Sequence, residues 1–337
     1  MPASLPTRKI GNSEVSAIGY GGMGISAFYG SVAPDEERLK FLDTLYERGC
    51  NHWDSADVYG DNEELIGKWF KRTGKRSEIF LATKFGLYFQ PDRFSNGSPE
   101  YARQQIEESL RRLGTDYVDL WYFHRPDPTV PIEVTIGTMA EYVKAGKVKY
   151  LGISECSAET LRRAHAVHPI AAVQVEYSPF SLDIEDEKIG VLKTARELGI
   201  KIVPYAVLGR GLLTGRFKSP EDFEPDDFRR KIAKFSKENF PNILRLADGL
   251  KVIGQRHGAT AGQVAIAWAL AQGEDIVPIV GTTKVKYLDE NLGALNIVLT
   301  PEELQEVREI AEKADAAQGD RQPPEFMRVQ YGDTPAL

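Results

Sequence analysis

Short apolar runs rich in β-branched and aromatic residues recur along this chain, and after each one the apolar positions return every three or four residues. Eight runs read as strands: VSAIGY (15–20), CNHWD (50–54), IFLATK (79–84), YVDLWYFH (117–124), VKYLGIS (148–154), AAVQVE (171–176), IKIVPYA (200–206) and DIVPIV (275–280). Several are apolar at successive positions, the pattern of parallel strands covered on both faces. The stretches between them carry helix punctuation. Pro34 precedes DEERLKFLDTLYERG, Ser98-Pro99-Glu100 precede YARQQIEESLRRLG, and Ser157-Ala158-Glu159 precede TLRRAHAV. Gly49, Gly114, Gly146 and Gly199 each close a helical pattern before the next strand, where a left-handed residue is expected. Eight strand–helix units predict an α/β fold of the (β/α)8 TIM-barrel type.

Three segments fall outside this alternation. RKIGNSEVSAI places a Gly11-Asn12 turn between two short runs, predicting an N-terminal β-hairpin that plugs one end of the barrel. Between strands seven and eight, residues 217–242 are dense in charge, Phe and Pro and read as a long lid or binding loop. Residues 315–337 form an irregular tail, either packed across a barrel mouth or loose. The whole chain, 1–337, is expected to be a single domain.

Charge and composition exclude several classes. The formal net charge is -7 with both signs interspersed, which disfavours a nucleic-acid or anionic-membrane surface. No run approaches the roughly 18 apolar residues of a membrane helix. The two cysteines, Cys50 and Cys156, are too few for a disulfide framework and lack zinc-site spacing, so buried thiols and no metal are expected. MPASLPTRKI has neither a secretory nor a transit pattern, and a cytoplasmic location is the expectation.

Barrel chemistry is placed at the C-terminal strand ends. Asp54, Lys84 and His124 end three consecutive strands, and Tyr59 follows Asp54 by five positions. A desolvated Lys84 ammonium needs a partner such as Asp54, and its charge is expected to lower the Tyr59 phenol. Such a phenol can protonate a developing alkoxide while His124 donates to the same oxygen. One motif points elsewhere: Gly19-Tyr20-Gly21-Gly22-Met23-Gly24 fits G-x-G-x-x-G, but eight strand–helix units do not make a doubly wound dinucleotide sheet.

These residues sit in longer motifs. Asp54-Ser55-Ala56-Asp57-Val58-Tyr59-Gly60, Thr83-Lys84, the strand ending in His124, Gly152-Ile153-Ser154, Gln174-Val175-Glu176-Tyr177-Ser178, Gly211-Leu212-Leu213-Thr214-Gly215 and Gly281-Thr282-Thr283-Lys284 with Glu290-Asn291 resemble, in order, the aldo-keto reductase superfamily. Within it, IGYGGMGISAFYG and HRPDP are most similar to the branch holding pyridoxal reductase-like and perakine reductase-like enzymes. The resemblance implies NADPH/NADP+ as cofactor, a small-molecule carbonyl substrate, Tyr59 as general acid, Lys84 and Asp54 tuning it, and His124 orienting the carbonyl. It implies nicotinamide contacts from Gly22, Met23, Asp54, Ser154, Gln174 and Tyr205. Leu208, Gly209 and Gly211 are implied at the pyrophosphate; Gly281, Thr282, Thr283 and Lys284 at the 2′-phosphate; and Glu290 and Asn291 at the adenine. The 217–242 segment would fold over the pyrophosphate. Glu155 stands where relatives often have Asn, and Tyr287 where they often have Arg. Potassium-channel β subunits share the pattern, so a non-catalytic cofactor-binding module is the alternative. Phe28, Tyr29, Phe85, Tyr88, Phe89 and Arg125 follow strands one, three and four and are candidate pocket walls.

Overall fold

The chain begins with a hairpin whose strands pair in register from Thr7 against Ser16 to Ile10 against Ser13, in a computed structural model describing residues 2–90, 93–327 and 329–337. Strands β1 (Thr7–Ile10) and β2 (Ser13–Ser16) meet at Gly11. This glycine has φ +57°, and a Cβ there would lie 2.3 Å from the Tyr150 ring, so both conformation and space require it. Arg8 ties the hairpin down, donating to the Gly273 carbonyl at 3.0 Å and the Leu270 carbonyl at 2.9 Å.

The remaining strands follow in chain order: β3 (Gly19–Gly21), β4 (His52–Asp54), β5 (Phe80–Phe85), β6 (Leu87–Gln90), β7 (Arg93–Ser95), β8 (Val118–Phe123), β9 (Val148–Ser154), β10 (Ile170–Glu176), β11 (Lys201–Tyr205) and β12 (Ile279–Val280). All but β6 and β7 form one parallel sheet, with neighbours in the order β11, β10, β9, β8, β5, β4, β3, β12. Ile202 pairs in parallel with Ile276, closing the sheet into the expected barrel. The eighth run pairs regularly over only its last two residues. Its Pro278 has no N–H for the ladder, although its carbonyl still accepts from Gly19 N at 2.8 Å. The small antiparallel hairpin β6–β7 was not predicted.

Two apolar layers explain the near-continuous hydrophobicity of the strands. Ile10 and Val15 of the plug pack with Phe80, Leu120, Tyr122 and Val203 inside the barrel. Trp53, Trp121, Ile153 and Val175 face outward beneath the helices. The helix signals hold: Pro99 opens Pro99–Leu113, and Ser157 Oγ accepts from Thr160 N at 3.0 Å to cap Ala158–Val167. Cys50 and Cys156 are buried free thiols, with burial pushing Cys50 up to about 12.

The tail is packed rather than loose. Ser157 N donates to the Gly332 carbonyl at 3.1 Å, and Gly332 N donates back to the Glu155 carbonyl at 3.0 Å. The G-x-G-x-x-G stretch is strand β3 followed by a helix of four residues, Met23–Ser26, too short for a dinucleotide-binding first helix. Among the described residues no helix is long and apolar enough to cross a membrane.

Candidate active site

The parallel register brings the three strand-end residues to one mouth. Asp54 stands opposite Ala82 across β4–β5, and Lys84 opposite Tyr122 across β5–β8. Lys84 Nζ donates to Asp54 Oδ1, to the Ser55 carbonyl at 2.8 Å and to Tyr59 Oη at 3.4 Å. Gln174 Nε2 donates to the other Asp54 oxygen at 2.9 Å. Tyr59 is brought back by the loop after β4, which is pinned where Asp57 N donates to the Lys84 carbonyl at 3.0 Å. The His124 ring meets the Tyr59 ring edge-on, 5.9 Å between centroids. All four side chains are buried, so their electrostatics act in a low dielectric.

Burial sets the direction of the pKa shift at Asp54, Tyr59 and His124 and is outweighed at Lys84. It raises the Tyr59 phenol above the ordinary tyrosine value, with Lys84 opposing but not reversing it. The expected lowering of Tyr59 is therefore corrected: desolvation of a phenolate outweighs one ammonium that Asp54 already neutralises. Burial also pulls the Lys84 ammonium down, but Asp54 and Tyr59 more than offset this, and Lys84 is held protonated. For Asp54 burial raises the carboxyl above its usual value, the Lys84 and Gln174 donors offsetting this only in part; with Lys84 held protonated beside it, an ammonium facing a carboxylate describes the pair. His124 is pushed well below its usual value by burial and by the charges of Arg125 and Lys84, so its imidazole is neutral at pH 7.

Beyond these four, the predicted contacts divide into groups. Ser154 ends β9 and Gln174 lies two residues before the end of β10, both buried, and Tyr205 ends β11. Ser154 Oγ accepts from Arg125 Nη1 at 2.9 Å, and Tyr205 Oη donates to Glu155 at 2.8 Å. Gly22 is close-packed by the protein itself, since a Cβ there would lie 2.8 Å from Asn62 Oδ1 and 3.0 Å from the Asp54 carbonyl. Its missing side chain therefore serves this contact, while Met23 opens the short helix that follows. Leu208, Gly209 and Gly211 form the turn after β11, in which Arg210 and Gly211 are left-handed. Arg229 of the 217–242 segment donates to the Arg210 carbonyl at 2.9 Å, so that segment does pack on this turn.

Gly281, Thr282, Thr283 and Lys284 lead into the helix Val285–Gly293, whose first turn carries no acidic residue. Thr283 and Lys284 are exposed there, a helix N-terminus open to an anion. Glu290 accepts from Thr260 Oγ1 at 2.8 Å, and Asn291 is buried on the same helix. Two proposed pocket walls belong elsewhere: Phe85 packs on Trp121 and Phe123 under the helices, and Tyr88 on Tyr101, because the chain turns outward after β5. Phe28 stays at the mouth, 6.4 Å from Tyr59.

The structure also shows a buried network that pattern reading did not find. Glu155 accepts from Arg321 of the tail at 2.7 Å and from Glu176 N at 3.0 Å. Burial alone would raise it, but Arg321 and Arg125 draw Glu155 down to about 2. Its one visible signal was an acidic residue at a strand end where Asn is common.

A closed parallel barrel with a lysine–carboxylate pair, a phenol and an imidazole at its C-terminal mouth defines a carbonyl oxidoreductase. Residues 17–312 match the aldo/keto reductase family, and the chain belongs to it. It is 62% identical over 322 residues to aldo-keto reductase str7 of Strobilurus tenacellus, covering 94% of this chain and 95% of that one. It is 50% identical over 339 residues to aldo-keto reductase yakc [NADP(+)] of Schizosaccharomyces pombe, with 99% of each covered. Among solved structures it is similar to a glycerol dehydrogenase from Gluconobacter oxydans, with TM-score 0.82 and 28% identity over 91% of this chain and 95% of that one.

Proposed function

We propose that this enzyme reduces aldehydes or ketones to alcohols with NADPH, Tyr59 serving as general acid. The observation that carries the reading is the Asp54–Lys84–Tyr59 contact beside His124 at one barrel mouth. The donor set fits the cofactor. Ser154 and Gln174 offer a hydroxyl and an amide for a carboxamide, and Tyr205 offers a ring. The turn at Leu208–Gly211 carries Arg210, whose buried Nε has no partner among the described residues, in keeping with a phosphate. Lys284 and the helix it precedes suit a second phosphate. The NADP(+) in the name of the yeast relative supports the same choice.

When bound, the reduced nicotinamide would supply a hydride. The protein's share is to place the carbonyl oxygen between Tyr59 and His124. Lys84, fixed by Asp54, holds positive charge against that phenol as its proton moves to the oxygen. Neutral His124 donates to the same oxygen and fixes its direction. The test is NADPH oxidation with pyridoxal, 4-nitrobenzaldehyde and methylglyoxal, run beside Tyr59→Phe. Turnover should fall by about 10²–10⁴ in the variant while NADPH still binds. Equal turnover in the two proteins overturns the assignment.

A further inference from the structure

The mouth of the barrel holds a cation that makes no direct ion pair among the described residues, although its charge is felt by Glu155 nearby. Lys84 meets Asp54, Arg321 meets Glu155 at 2.7 Å, and Arg210 lies 3.6 Å from Glu176. Arg125 is only 7% exposed, and no carboxylate among the described residues lies within ion-pair distance of it. Its Nη1 donates to the His124 carbonyl at 2.7 Å and to Ser154 Oγ at 2.9 Å, while its buried Nε has no partner among the described residues. Burying a guanidinium costs several kcal/mol unless an anion meets it, and its planar fork suits a carboxylate. The two existing bonds hold that fork beside His124, next to the position of the reacting carbonyl.

Aromatic rings continue outward from this point. Phe28 lies 6.4 Å from Tyr59 and 6.3 Å from Phe228, and Phe228 lies 6.1 Å from Phe326 of the tail. Edge-on spacings of this kind leave ring faces for a flat apolar body, one face of Phe228 being taken by the Arg210 guanidinium 5.7 Å from its centroid. The mouth thus joins a guanidinium with no ion-pair partner among the described residues to an aromatic wall.

We propose that Arg125 forms a subsite for a substrate carboxylate, and that the enzyme acts on aryl 2-oxo acids, their carboxylate on Arg125 and their ring along Phe28 and Phe228. This rests on the reductase reading above. In the reaction the hydride forms a new C–H bond at the 2-carbon, and the C=O π pair goes to oxygen. Tyr59 gives that oxygen its proton and regains one from solvent. The products are a 2-hydroxy acid and oxidised nicotinamide, with the carboxylate unchanged.

The experiment compares phenylglyoxylate with its methyl ester, with 4-nitrobenzaldehyde as a substrate lacking the carboxylate. Wild type should favour the acid over the ester in kcat/KM by about tenfold or more. Arg125→Met should lower kcat/KM for the acid by about 10- to 100-fold more than for the ester and aldehyde, as expected for a lost charge-assisted pair on top of any loss shared by all three through Ser154 and His124. Arg125→Lys should fall between. Calorimetry on the NADP+ complex should show the same loss in phenylglyoxylate affinity without reference to turnover. The proposal is overturned when wild type shows no preference for the acid. It is equally overturned when acid, ester and aldehyde fall by the same factor, or when NADPH affinity falls in step, since Arg125 would then serve Ser154 alone. Should Arg125→Met fail to fold, the wild-type ratio and Arg125→Lys decide. Aldehyde turnover without acid preference sinks only the subsite; no turnover of any substrate sinks the reductase reading, and calorimetry still reports on Arg125.

Discussion

Tyr59 shows how a single residue's role depends on its surroundings. Burial raises the phenol, so Tyr59 keeps its proton through neutral and mildly alkaline pH, as the proposed acid role requires. The kcat/KM for reduction should therefore show no loss from this group below roughly pH 10, the ordinary tyrosine value. A pH profile with a fall centred near about pH 7–8, traced to Tyr59 by its absence in Tyr59→Phe, would contradict the burial argument. At the other end of the site Lys284 is exposed before a helix free of early acidic residues. Lys284→Ala should raise the Kd for NADPH by about 10- to 100-fold and change that for NADH little, because only the former carries the extra phosphate. Equal shifts in fluorescence titrations with the two cofactors place the phosphate elsewhere.

At the scale of elements, the tail behaves as a strap. Arg321 reaches from it to Glu155, and Glu155 in turn holds the hydroxyl of Tyr205. Glu155 titrates at about 2 in the fold, below its unfolded value, so the strap stabilises the protein above about pH 4 and that stability is lost as pH falls towards 2. Arg321→Met should reduce this acid-sensitive part, lowering Tm at pH 7 more than at pH 3. A Tm difference that does not vary with pH removes the ionic account. The β1–β2 plug is a second such element. Arg8→Ala should destabilise the fold by about 2 kcal/mol through lost bonds to the Gly273 and Leu270 carbonyls, with NADPH affinity unchanged in equilibrium unfolding and titration.

For the whole molecule, the barrel was legible because each β–α unit carries local signals: the successive apolar positions of LWYF, the Ser157 cap, and the Gly114 stop at φ 61°. The β6–β7 hairpin escaped because LYFQ and RFS are too short and mixed to alternate clearly. The eighth strand is shorter than its apolar run because Pro278 breaks a ladder that its neighbours suggest. Asp54, Lys84 and His124 could be found since a parallel barrel sends every strand end to one mouth. What stayed hidden depends on contacts distant along the chain. Phe85 follows a strand as a pocket wall would yet lies under the helices, and Phe326 is more than two hundred residues from the Phe94 ring it meets at 5.1 Å.

The sequence alone therefore determined the barrel, the order of its strands and the residue types at its mouth, because periodicity, caps and stops act over a few residues. Tertiary structure decided the rest. The direction of the Tyr59 shift needs its burial, the strap needs Arg321 brought back to Glu155, and the lack of a direct ion pair at Arg125 among the described residues shows only once Glu155 and Glu176 have met Arg321 and Arg210. Desolvation and charge pairing are properties of the assembled interior, and no local pattern encodes them.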